Sequence, residues 1–295
     1  MRTSYLLLFA QSSRALPSLP WVQQWFSLFQ QYTHDPYECL STESTIPQFL
    51  LDTGHPWIVA NQERLDNIPD AEAFLCTLSN TITNHSQQSE IVASDGYGKF
   101  QLPTDLFQYL KISNGDHQDR RFAYPNAFCR LHEVQRCPRA LHEVKFLDIN
   151  IWVSDDKFAM KWYGAPEPKP IPELSTLFGD VLESMVNLET LKWVIHSQYD
   201  TLLEKVFRAR GLSLPSVKNL EVSKLAGYLI SHCKNVESVE ARNDYLFTGH
   251  GYQDKCGVGC PLLPALAAAP TIKRVALNGV RWMPRLLPGK CFRIQ

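Results

Sequence analysis

The chain has 295 residues, of which 44% are hydrophobic, 11% aromatic and 20% charged, with a net charge of −1. Seven Trp, 15 Phe and 11 Tyr supply far more apolar surface than a disordered chain carries, so the sequence specifies a large core. The near-zero charge excludes the broad basic field that non-specific nucleic-acid binding requires, and no apolar run approaches the roughly 18 residues of a membrane-spanning helix.

Arg2 and the apolar run 5–10 have the order of a secretory signal, but the run is shorter than the roughly 7–15 residues of its apolar segment. We read it as an amphipathic first helix with Leu6, Leu7 and Phe9 inward. Trp21, Val22, Trp25, Phe26 and Phe29 then form a wide apolar stripe. Residues 33–70 have little periodicity and four prolines, which predicts irregular structure with helical turns around 47–51. Asp70 is placed to cap a helix with Phe74, Leu75, Leu78 and Ile82 on one face. Segment 85–99 reads as a polar surface loop, and 114–121 as a charged one. A helix is expected from Pro103, with Leu106, Phe107 and Leu110 inward.

Helices are also expected at about 126–137, 176–186, 199–210 and 262–269, the third ended by Gly211 in a left-handed cap. Between them lie a proline-rich connection at 154–175 and a Gly-rich loop at 249–259. Five phrases share the spacing i, i+3, i+5: Leu141/Val144/Phe146, Leu188/Leu191/Trp193, Val217/Leu220/Val222, Val236/Val239/Ala241 and Ile272/Val275/Leu277. In each, the first residue seats the chain as it leaves a loop, and the other two point the same way from a short strand. Stretch 214–243 holds two copies around an amphipathic segment with Leu225, Leu229 and Ile230.

Strand, helix and strand in so short a stretch predict an α/β fold: an irregular leucine-rich-repeat solenoid with a curved parallel sheet and outer helices. The repeat occupies 126–280, after an irregular helical region at 1–125 that holds the first degenerate repeats, and before a C-terminal cap at 281–295. The intervals between copies are uneven, and an ordinary α/β domain is the alternative. Lys145, Lys192, Glu221, Glu240 and Ala276 stand between inward positions and are expected on the concave face. With Lys218 and Glu237, the charged members of that set are the candidate partner-facing residues.

The alternation of helices with VKNLEV, NVESVEA and TIKRVAL resembles the irregular leucine-rich-repeat, F-box-like proteins of filamentous fungi. The opening YLLLFAQSSRALPSLPWVQQW is similar to the segment that follows the F-box in that family. The resemblance covers about 1–30 and 126–280. It implies a protein-interaction role and, where an F-box is present, binding to the ubiquitin-ligase adaptor Skp1. Here the pairs Leu16–Pro17 and Leu19–Pro20 are followed by too short a helical region for that module.

Catalytic and metal motifs are weak. His250, Cys256 and Cys260, joined by His232 or Cys233, are the best zinc candidates, but no second Cys pair has finger-like spacing. His132–Glu133 and His142–Glu143 do not continue to a zinc-protease motif. Residues 94–99 lack P-loop spacing, and there is no GxSxG elbow. No cofactor is implied. The eight cysteines show no CxxC pair, and several lie in apolar helical contexts, which predicts structural thiols in a reducing, intracellular setting. The expected function is therefore a non-enzymatic interaction scaffold, cytoplasmic or nuclear, related to ubiquitin-ligase substrate receptors. A hydrolase or metal-dependent enzyme using 249–260, or a truncated chain without retained function, are the alternatives.

Overall fold

A computed structural model describes residues 46–82, 90–92, 99–103, 105–113, 123–151, 172–195, 197–223, 225–242, 261–277 and 292–294. The chain divides into two units, Met1–Leu40 and Ser41–Gln295, and all the described residues belong to the second. The expectations for the first helix, the 21–29 stripe, the 114–121 and 249–259 loops and most of the 154–175 connection lie outside the described residues, and residues 172–175 of that connection are helical instead.

Three helices lead off: α1 (Gln48–Thr53), α2 (Pro56–Asp66) and α3 (Ala71–Ile82). The turns expected near residue 47 are α1, whereas α2 replaces the irregular structure expected before residue 70. Its first turn accommodates Pro56, whose missing N–H would be unbonded there anyway, and the His55 side chain accepts from the Trp57 N–H. Asp70 caps α3 as expected, its Oδ1 accepting from the Ala73 N–H at 2.9 Å. The predicted loop at 85–99 instead contributes β1 (Glu90–Val92), which pairs antiparallel with β2 (Lys99–Gln101).

The remaining strands form one sheet in which sequence order is spatial order. They are β3 (Tyr109–Ser113), β4 (Phe146–Ile151), β5 (Thr190–Ile195), β6 (Asn219–Ser223), β7 (Ser238–Arg242), β8 (Arg274–Leu277) and β9 (Phe292–Ile294). Every neighbouring pair is parallel. Helices occupy most of the connections: α4 (Ala123–Gln135) and α5 (Pro138–Glu143) before β4, and α6 (Pro172–Ser184) before β5. α7 (Ser197–Arg210), α8 (Tyr228–His232) and α9 (Leu262–Ala268) precede β6, β7 and β8. The α/β class with a parallel sheet is thus correct. The sheet extends beyond the predicted 126–280 in both directions, because β3 opens it and β9, inside the expected cap, closes it.

The spacing i, i+3, i+5 is the local cause of this architecture. Two rows of inward side chains cross the sheet in register, Leu110, Leu147, Leu191, Leu220, Val239, Val275 and Ile112, Ile149, Trp193, Val222, Ala241, Leu277. All are buried. Helical residues at i, i+4 and i+8, such as Tyr199, Leu203 and Phe207 of α7, complete the same core. The Phe178 and Phe207 rings lie 5.4 and 5.8 Å from that of Trp193. Gly211 ends α7 at φ 66°, the left-handed cap expected of it.

Two expectations need correction. The chain from Pro103 makes a turn and then β3, not a helix, although Leu106, Phe107 and Leu110 are buried as expected. Phe107, Leu110 and Ile112 are a further copy of the phrase. The first predicted phrase is also displaced: its members in the sheet are Val144, Leu147 and Ile149. Leu141 belongs to the last turn of α5, and Phe146 faces the other side, in register with Thr190. The segment LHEVKFLDI satisfies the spacing in both frames, and only strand pairing selects one.

Candidate interaction surface

From β3 to β7, the residue before each strand makes a backbone link to the start of the next strand. The carbonyl of Gln108 accepts from the N–H groups of Lys145 and Phe146, both at 2.9 Å, and that of Lys145 accepts from Glu189 and Thr190. Glu189, Lys218 and Glu237 continue the series, the last accepting from Lys273 and Arg274 at 2.8 and 3.1 Å. Just before it, side chains bond carbonyls of the preceding turn: Asn187 Nδ2 to His142 O and Asn235 Nδ2 to Pro215 O at 2.8 Å, and Ser216 Oγ to Val186 O. These bonds satisfy turn carbonyls that would otherwise be left open and repeat the same bend at successive units. Lys145 and Lys218 project from these turns and are exposed, while Glu237 is held by Lys273 at 3.1 Å. Lys145 therefore does not lie in the sheet row with Lys192, as expected; the frame correction puts Asp148 there.

The row itself runs Lys111, Asp148, Lys192, Glu221, Glu240 and Ala276, with Arg293 at the same register position on β9. It alternates with the inward rows, so these positions belong to the opposite face. Successive members come from adjacent strands, about 4.8 Å apart. Tyr109 donates its hydroxyl to Asp148 Oδ2 at 3.3 Å and stacks at 5.1 Å on Phe146. Partial burial, with the Asp148 charge and hydrogen bond, pushes the Tyr109 phenol up to about 12. Lys192 Nζ lies 3.6 Å from Glu221 Oε2 and 5.3 Å from the Phe146 ring, a cation–π distance. Glu221 is only 8% exposed, so it supports Lys192 rather than standing open to a partner as expected. Glu240 is half-buried beside it.

On the core side, at the C-terminal ends of β5 and β6, is a polar cluster that sequence reasoning missed. Asp200, in the first turn of α7, is 2% exposed. Its carboxylate accepts from Trp193 Nε1–H at 3.0 Å, Tyr228 OH at 3.1 Å and Ser223 OH at 3.1 Å. Burial, followed by the Asp200 charge and hydrogen bond, pushes the Tyr228 phenol well up. Four elements thus meet on one carboxylate at the positive end of a helix. A Trp in an inward row followed by an acidic residue in the next helix's first turn is the only signal the sequence carried.

The helical segments meet through further charges. Arg130 on α4 bonds Asp52 at 3.0 Å and Glu133 at 3.0 Å, and Glu133 Oε2 accepts from the Phe49 N–H at 3.2 Å. Burial raises the Glu133 carboxyl despite the neighbouring Arg130. On α7, Arg210 grips Glu183 through two nitrogens, at 3.2 and 2.9 Å, and reaches Asp180 at 2.7 Å. Cys76 and Cys137, expected as structural thiols, are paired with their Cα atoms 5.2 Å apart. Cys233 is a buried thiol pushed up to about 12 by burial.

His250, Cys256 and Cys260 lie outside the described residues. His232 packs on Phe207 and Tyr228, with Nδ1 2.7 Å from the Leu212 carbonyl, and occupies a core position. Among the described residues, no group of three or more His, Cys, Asp or Glu side chains is arranged to hold a metal ion. His132–Glu133 and His142–Glu143 stand on α4 and at the end of α5 respectively. No described helix is long and apolar enough to cross a membrane. No protein-family model matches the chain, and no curated protein or solved structure is significantly similar to it.

Proposed function

We propose that the chain is a non-enzymatic protein-interaction scaffold, an irregular leucine-rich-repeat solenoid whose second sheet face meets a protein partner. The carrying observation is the row of charged side chains presented one per strand from Lys111 to Glu240. Such a row can be varied without touching the core, because neighbouring positions on each strand face opposite ways. Lys145 and Lys218 extend it at the strand starts, with Glu237 beside them.

The test is affinity capture with the full chain, comparing wild type with Glu240→Lys and Lys218→Glu. A control, Lys205→Glu, alters an exposed position on α7. The reading expects partners retained by wild type and the control but lost from Glu240→Lys and Lys218→Glu. An identical captured set for all four chains would overturn it. In the narrower form, a ubiquitin-ligase substrate receptor, Skp1 would be among the captured proteins; its absence from an otherwise specific set removes that form alone.

A further inference from the structure

We propose that Cys76 and Cys137 form a reversible disulfide that acts as a redox-controlled staple between α3 and the start of α5. Cys76 lies on α3 and Cys137 immediately before α5, 61 residues later. Their Cα separation of 5.2 Å falls within the span a disulfide closes without moving the backbone. The seam is positioned independently of the sulfurs. Glu72, one turn before Cys76 on α3, receives Arg136, the residue preceding Cys137, at 3.1 Å. Arg130 holds Asp52, and the Phe49 N–H reaches Glu133, so the same region is also tied down from α1. The two sulfurs are thus brought together by contacts that survive reduction, which is what a reversible bond requires.

The accessibilities assign an order to the chemistry. Cys137 is 2% exposed, whereas Cys76 is half-buried. A low-molecular-weight disulfide such as oxidised glutathione therefore reacts first at Cys76. The Cys76 thiolate attacks one reagent sulfur, forms a mixed disulfide and releases one reagent thiol. The Cys137 thiolate then attacks Cys76 Sγ, expelling the second reagent thiol. Two protein thiols lose two protons and two electrons, and the reagent disulfide becomes two thiols. The closed loop contains β3 and α4, so oxidation restricts the unfolded chain around the first strand of the sheet.

The full-length chain is incubated in oxidised and reduced glutathione and digested with trypsin without reduction. Arg130 and Arg136 separate the peptide of Cys129 from that of Cys137, so the partner of Cys76 is assigned unambiguously. A linked peptide joining Cys76 to Cys137, lighter than its parts by two hydrogen atoms, is expected only in the oxidised sample. The oxidised protein should melt about 5–10 °C above the reduced one. Cys76→Ser and Cys137→Ala should each lower that difference by the same amount, whereas Cys233→Ala should keep it in full. Linkage of Cys76 to another cysteine, no linkage at all, or a redox-dependent melting shift that is undiminished in Cys76→Ser would overturn the proposal. Should both single variants fail to fold, the peptide assignment on wild type decides alone.

Discussion

The segment from Leu188 to Ala241 and the helical region before β4 are held together in opposite ways. In the first, every unit contacts the next through the same short list: inward residues at fixed offsets, a carbonyl accepting two N–H groups, and a polar side chain on the preceding turn. In the second, single contacts join residues far apart in sequence, Asp52 to Arg130, Phe49 to Glu133, Glu72 to Arg136 and Cys76 to Cys137. Repetition distributes stability over many equivalent bonds. In the helical region point contacts are added to the same apolar core, and they are the places where charge or oxidation state can alter the fold locally.

The comparison can be broken most severely at Trp193, where repeat and point contact coincide. Trp193→Ala empties a fully buried site and leaves Asp200 without one donor, and is expected to cost about 4 kcal/mol in urea unfolding. Asp200→Asn keeps the volume but replaces one accepting oxygen by an NH2 donor that faces the donors Trp193, Ser223 and Tyr228; a loss of about 2–3 kcal/mol is expected. If Asp200→Asn were neutral, the cluster would be incidental to the stability of the repeat.

Gly179 tests the helix layer. A Cβ there would lie 2.8–2.9 Å from the Arg210 side chain, which Asp180 and Glu183 fix in place. Gly179→Ala should cost about 1–2 kcal/mol, and Gly179→Ala combined with Arg210→Ala should cost no more than Arg210→Ala alone. The smallest mutational effect is expected from Asn235→Ala, about 1 kcal/mol, since one link of a redundant ladder is removed.

For the point-contact region the discriminating variable is pH. The Glu133 carboxyl is raised in the folded protein, so its contribution is present below the ordinary carboxylate range and lost as pH rises through the raised value. The stability of wild type relative to Glu133→Gln should therefore fall between about pH 4 and pH 7, read from urea midpoints. A gap that widened in favour of wild type would mean that the Arg130 pair outweighs burial.

Those two regions were also unequally legible. The four phrases at Leu188, Val217, Val236 and Ile272 fixed their own strands, because apolar spacing there admits one frame and each strand's partners lie next in sequence. Around Phe146 two frames satisfy the same spacing, and the approach to β3 reads as a helix because Leu106, Phe107 and Leu110 also fit a helical face. Of the candidate surface, Lys192, Glu221 and Glu240 fall in the row as expected, yet burial and the Lys192 bridge make Glu221 a supporting residue.

By itself, then, the sequence determined a repeating strand signal, a parallel α/β class and most helices, all consequences of local periodicity and capping. Tertiary structure alone decided the frame of β4, the strand nature of β3, the Asp200 cluster and the Cys76–Cys137 pair. Each of those depends on which distant residues become neighbours. Periodicity is a property of a window along the chain, whereas a hydrogen bond or a disulfide between remote residues exists only once the chain has been folded back.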